Sequence, residues 1–176
     1  MAWYIMSLAV VIGCTAVGQA GAQTAANLHP CSLLTAAQVT AAVGSVSQSA
    51  EGDMRGTGQG EKPLRRACSW GIPGGLFTLS VGKVPKQNMN TRQLLDWMNS
   101  MYDVLTAQGW MYEKKDFGST SCSLLTPPKG APEGSPATFC ATVVKGMLVM
   151  TGASAKAAIA PEKLKSVTEL AASRLP

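Results

Sequence analysis

Histidine, paired carboxylates and cysteines are the residues in this chain whose types and spacing could do chemistry. His29 is the sole histidine in 176 residues. A serine or cysteine hydrolase needs a base beside its nucleophile, usually histidine. No Gly-x-Ser-x-Gly elbow occurs, and His29 lies upstream of the first helix in a polar stretch expected to be mobile. Carboxylate pairs can hydrolyse glycosides without histidine. Glu51 and Asp53 are close but sit in a glycine-rich stretch read as loop; Asp96 and Asp103 fall off the apolar stripe of a helix; Glu113 and Asp116 stand among lysines. Solvated surface is the default for all of them. Gly56-Thr-Gly-Gln-Gly-Glu-Lys62 imitates a phosphate loop, but the glycine spacing is wrong and no Ser or Thr follows the lysine. The sequence therefore assigns no catalytic, cofactor-binding or metal-ligating residues.

The cysteines say more. Residues 1 to 22 carry no charged side chain, Trp3 to Val11 is an apolar run, and Ala20-Gly21-Ala22 supplies a small-x-small cleavage site before Gln23. That pattern reads as a secretory signal peptide over 1–22, although its n-region lacks the usual Lys or Arg. Val11-Ile12-Gly13-Cys14 resembles a bacterial lipobox and offers a rival, a membrane-anchored lipoprotein beginning at Cys14. Cleavage after Ala22 leaves Cys31, Cys68, Cys122 and Cys140. An even count in an exported chain implies disulfides, and four cysteines allow three connectivities. None shows the two-residue spacing of a zinc or redox motif.

The net charge of +5 belongs wholly to the part after residue 22, with Lys62, Arg65 and Arg66 as its one concentration. Spread charge of this kind is a solvated surface that favours loose association with an anionic envelope. Nucleic acid is not an expected partner.

The elements that position these residues begin at Thr35. Thr35 and Gln38 form a capping box, Leu34 and Val39 the accompanying staple, and Val39, Ala42 and Val43 repeat at helical spacing until Gly44. Gly44 is expected to end the helix in the left-handed conformation. Such a helix of about eight residues is short of the roughly 12 to 15 that an isolated helix needs, so it requires an anchor, and Cys31 just before the cap supplies one. Ser45 to Arg66 reads as loop with a strand near Val46. Cys68, Trp70 and Ile72 alternate, Pro73-Gly74-Gly75 turns, and Phe77, Leu79 and Val81 alternate again, which predicts a hairpin.

Asn90 caps the longest predicted helix, whose stripe is Leu94, Leu95, Met98, Met101, Tyr102 and Leu105. Gly109 ends it, with Trp110 folding back on Leu105. Trp97 lies beside the stripe and is the candidate partner-binding residue. Strands follow over Trp110–Lys115, Ser119–Leu125, Ala137–Val144 and Met147–Ala153, with a Pro/Gly-rich loop from Thr126 to Pro136. Pro161 opens a terminal helix carrying Leu164, Val167, Ala171 and Leu175. This order predicts one α+β domain over 31–176, an antiparallel sheet covered by helices, behind a mobile leader at 23–30. Facing positions in the late hairpin would bridge Cys122 to Cys140, leaving Cys31 to tie the opening helix to Cys68.

Cys31-Ser-Leu-Leu-Thr-Ala-Ala-Gln-Val, Gly44, and Cys68-Ser-Trp70 ahead of an alternating strand resemble a family of small exported bacterial proteins, many of them actinobacterial lipoproteins, classed as a domain of unknown function. The resemblance implies the Cys31–Cys68 bridge and a PsbP-like sandwich; it lends no catalytic residues. The functional expectation is an exported, non-enzymatic binding or accessory module of the bacterial envelope, with an envelope protein or small ligand as partner. The alternatives are a carboxylate-dependent hydrolase of envelope glycans and a secreted inhibitor presenting the 126–136 loop.

Overall fold

The computed structural model of the chain describes residues 28–54, 65–84, 93, 96, 103–130 and 134–176. The capping box forms as predicted: the Gln38 amide donates to Thr35 Oγ1 at 3.3 Å, and the Thr35 amide donates to Gln38 Oε1 at 2.9 Å. A short helix α1 (Pro30–Leu33) precedes it, so Cys31 sits on a helical turn of its own, and α2 runs over Ala36–Val43. Val39, Ala42 and Val43 are its buried face. Gly44 has the positive φ of 89° expected, but ψ of −164° takes it out of the left-handed helical region. Its amide still closes the helix on the Thr40 carbonyl at 2.9 Å.

Seven strands make one antiparallel sheet: β1 (Ser49–Met54), β2 (Arg65–Ile72), β3 (Gly75–Lys83), β4 (Met111–Phe117), β5 (Thr120–Thr126), β6 (Ala137–Val144) and β7 (Met147–Ser154). Their order is β1-β2-β3-β7-β6-β5-β4. Two meanders thus meet at a central β3–β7 pair, and the chain between β3 and β4 crosses from the middle of the sheet to its edge. Lys145 at φ 52° and Gly146 at φ 73° form the tight β6–β7 turn, whose two positive φ values match strand twist.

β1 corrects the loop reading of Glu51 and Asp53. Both are on a strand, and the strand starts at Ser49 rather than near Val46. An edge strand of polar residues shows no alternation because backbone pairing with β2 carries it.

The helix α3 (Asp103–Ala107) ends as predicted. Gly109 has φ 85°, the Trp110 amide donates to the Leu105 carbonyl at 3.1 Å, and the Gly109 amide donates to Thr106 at 3.0 Å, the two bonds of a Schellman cap. Gly134 lies so near the Trp110 ring and Pro127 that a Cβ there would come within 3.1 Å of each. Asn90, Leu94, Leu95, Trp97, Met98, Met101, Tyr102 and the leader before Leu28, Cys14 included, lie outside the described residues.

The final helix α4 (Pro161–Ser173) and the two opening helices cover one face of the sheet. Trp70, Phe77, Leu79, Val81 and Val149 are buried there with Leu164, Val167 and Ala171 of α4. The Trp70 and Phe77 rings are 5.4 Å apart, a favourable tilted pair. Both predicted bridges are present: Cys31–Cys68 with Cα atoms 5.0 Å apart, and Cys122–Cys140 between directly paired residues of β5 and β6, 4.0 Å apart. The chain is an α+β domain with two disulfides.

Candidate functional site

Side chains alternate across a strand, so the strand register defines what points away from α4. One row across the sheet reads Ser69, Thr78, Gly152, Phe139, Ser123, Lys114. The row beside it reads Ala67, Ser80, Met150, Ala141, Ser121, Asp116. Apart from Phe139 and Met150, small hydroxyl-bearing or side-chain-poor residues dominate the centre, and a lysine and an aspartate stand at the β4 edge. The next row holds Leu148, fully buried with Ala141 against Val84, Val143 and Met150, so an apolar cluster adjoins the hydroxyls. This is the hydroxyl face, in contrast to the packed face under α4.

Two serines mark its floor. Ser80 is 4% exposed and Ser123 is 2% exposed, yet neither hydroxyl hydrogen-bonds a described residue. Neither oxygen counts among the buried side-chain atoms that lack a partner, so each stays within reach of solvent and of a ligand atom. Their neighbours differ: Ser121 donates to the Asp116 carboxylate, and Thr78 reaches the Gly152 carbonyl at 3.5 Å. Gly152 lets the Phe139 ring lie close, since a Cβ would fall 2.9 Å from it. Lys114 is held at the rim by Asp96, 2.8 Å away. That pair places Asp96 at the β4 edge of this face.

His29, expected to be mobile, is instead held. Its Nδ1 is 3.1 Å from Glu51 Oε2, while Glu51 Oε1 accepts the Cys31 amide at 3.0 Å. Arg66 lies 3.6 Å from the same carboxylate and donates to the Leu28 carbonyl at 2.9 Å. Leu28 is buried, so anchoring begins upstream of Cys31. Desolvation pushes the Glu51 carboxyl up, but the His29 hydrogen bond, the Cys31 amide and the charges of His29 and Arg66 outweigh it and hold the group below its ordinary value. The arrangement is a clasp around the Cys31–Cys68 bridge.

Two carboxylates of α4 are engaged as well. Glu162 pairs with Lys115, which holds the carboxyl low and the ammonium high, and Glu169 accepts from Lys165 at 2.9 Å and Thr120 at 3.0 Å. Among the described residues no group of three or more His, Cys, Asp or Glu could hold a metal ion, and no helix is long and apolar enough to cross a membrane. Of the residues singled out from sequence, the structure joins the cysteines in two pairs and brings His29 to Glu51. Trp97 and the Gly56–Lys62 stretch lie outside the described residues. Ser80 and Ser123 were missed, although Ser, Thr or Gly at alternate positions in β2, β3 and β5 was a readable signal.

No family model matches the chain, and neither does any curated protein. Among solved structures it is similar to the extracellular domain of PknH from Mycobacterium tuberculosis, at 12% identity over 82% of this chain and 93% of that one, with a TM-score of 0.54. At that identity the likeness is one of fold.

Proposed function

We propose that the chain is an exported, non-enzymatic binding module of the bacterial envelope whose ligand or partner occupies the hydroxyl face. The observation that carries this reading is the pair of hydroxyls at Ser80 and Ser123, within reach of solvent and unbonded to any described residue, on a floor of small side chains. Binding sites are concave surfaces with a few placed polar groups, and these two serines fit that role. Export is supported by two disulfides, which persist in oxidising compartments, and by a fold shared with an extracellular domain. The opening Cys-x-Leu-Leu-Thr and later Cys-x-Trp support membership of the small exported family described above, and the helix-covered antiparallel sheet supports its PsbP-like sandwich. The mature chain begins at Gln23 in this reading and is periplasmic or secreted; a lipid on Cys14 would tether it instead. A net charge of +5 adds weak attraction to anionic membrane surfaces.

The test is a backbone-amide NMR titration of the mature protein with a size-fractionated digest of envelope glycan and peptide. Saturable shifts around Ser80 and Ser123, lost in Ser80→Val/Ser123→Val with the fold intact, are expected. Capture that survives the double substitution would overturn the site. Turnover of the glycan fraction would favour the hydrolase reading. Intact mass before and after reduction separates a Gln23 start from a lipidated Cys14.

A further inference from the structure

We infer that the chain carries a second ligand site, independent of the hydroxyl face: a cleft between α2 and α4 that takes an aliphatic carboxylate, with the carboxylate on Lys163. The cleft holds about 340 Å³, inside the range of roughly 300 to 1,000 Å³ found for small-molecule pockets. Ala41 and Ala42 of α2 face Val167 and Leu170 of α4, and the two alanines are too small to fill the space between the helices. Ala42 and Val167 are buried and continuous with the core. Lys163, Ser166, Val167 and Leu170 fall on one helical face, a wall of about 10 Å at the α-helical rise.

The polar groups of the lining decide the ligand. Ser166 is spent, its hydroxyl donating to the Glu162 carbonyl at 3.0 Å. The Gln38 oxygen is spent twice, accepting the Thr35 amide and Arg174 Nη1, each at 2.9 Å. Arg174 also donates to the Leu33 carbonyl at 2.6 Å, so its guanidinium is committed outside the cleft lining. What remains is donors: the Lys163 ammonium and the Gln38 NH2. No carboxylate lines the cleft, and the two glutamates of α4 are committed elsewhere, Glu162 to Lys115 and Glu169 to Lys165 and Thr120. Lys163 is therefore the lysine of α4 without an acidic partner among the described residues. An apolar slot with one cation at its open end fits one anionic head and one hydrocarbon tail. A sugar would leave its hydroxyls unbonded against Val167 and Leu170.

Decanoate, kept below its micelle concentration, is the probe, titrated into the mature protein and followed by backbone-amide NMR with decanol as the uncharged comparison. Saturable shifts on α2 and α4 are expected, weaker with decanol. Lys163→Gln should reduce decanoate affinity roughly tenfold, the factor equivalent to about 1.4 kcal/mol, and bring it down to that of decanol. Ala41→Leu should fill the slot and abolish binding of both while the thermal midpoint stays put. Absence of saturable binding would overturn the site. So would equal binding of decanol and decanoate, insensitivity to either substitution, or shifts confined to Ser80 and Ser123.

Discussion

The two faces of the sheet are built from the same strands in the same register, and they do opposite things with their polar atoms. On the packed face every buried hydroxyl among the described residues is answered: Thr151 and Thr168 share a hydrogen bond at 2.6 Å, Thr138 donates to Ile159, Thr142 to Ser119 and Thr120 to Glu169. On the hydroxyl face Ser80 and Ser123 bond no described residue, and their oxygens stay within reach of solvent. The packed face therefore spends its hydroxyls on internal hydrogen bonds, and the hydroxyl face leaves two of them to solvent or a ligand. Polar groups placed among small side chains in this way are characteristic of binding surfaces.

Substitutions should separate the faces. Trp70→Ala empties the centre of the packed face and should cost about 3 to 5 kcal/mol in urea unfolding; a loss below 1 would mean that this face is not the cohesive one. Removing the Cys31–Cys68 bridge should cost about 2 to 5 kcal/mol. Its span of 37 residues against 18 for Cys122–Cys140 makes its loop-closure share larger by about 0.6 kcal/mol, which paired double-cysteine variants would measure.

Thr168→Val leaves the Thr151 hydroxyl unpaired and should cost about 1 to 3 kcal/mol, whereas Ser80→Ala should fall within about 0.5 kcal/mol of wild type. Equal costs for the two would erase the contrast between the faces. The smallest effect is at the clasp. Because the Glu51 carboxyl sits below its ordinary value when folded, its contribution is present above the unfolded pKa and disappears as pH falls through the folded one. Glu51→Gln should flatten that acid limb in a melting-temperature profile and change little at neutral pH.

Much of the packed face could be read from the chain, because periodicity reports burial. Thr35 and Gln38 announced α2, Cys68, Trp70 and Ile72 announced β2, and Pro161 announced α4. The cysteine pairing followed from hairpin geometry. β1 was not legible, since Glu51 and its neighbours are held by backbone pairing and carry no apolar alternation. The β3–β7 junction was not legible either, because period-two patterns locate strands but not their distant partners. Ser80 and Ser123 occupy positions where a serine ordinarily signals solvent, so their burial could not be told from exposure by residue type. The α2–α4 cleft depends on how two helices dock, which no local pattern encodes.

The β3–β7 junction also bears on how the chain reaches its final state. Each meander can assemble from neighbouring hairpins, which are quick to form, but joining them requires contacts between segments far apart in sequence. β7 is the last strand to be delivered as the polypeptide emerges from its N-terminus. Until it arrives, β3 presents one open, alternating apolar edge, the kind of template that pairs with other chains. The middle of the finished sheet is thus its most vulnerable part during biogenesis, and conditions that delay the C-terminal meander should appear as aggregation before any loss of native stability.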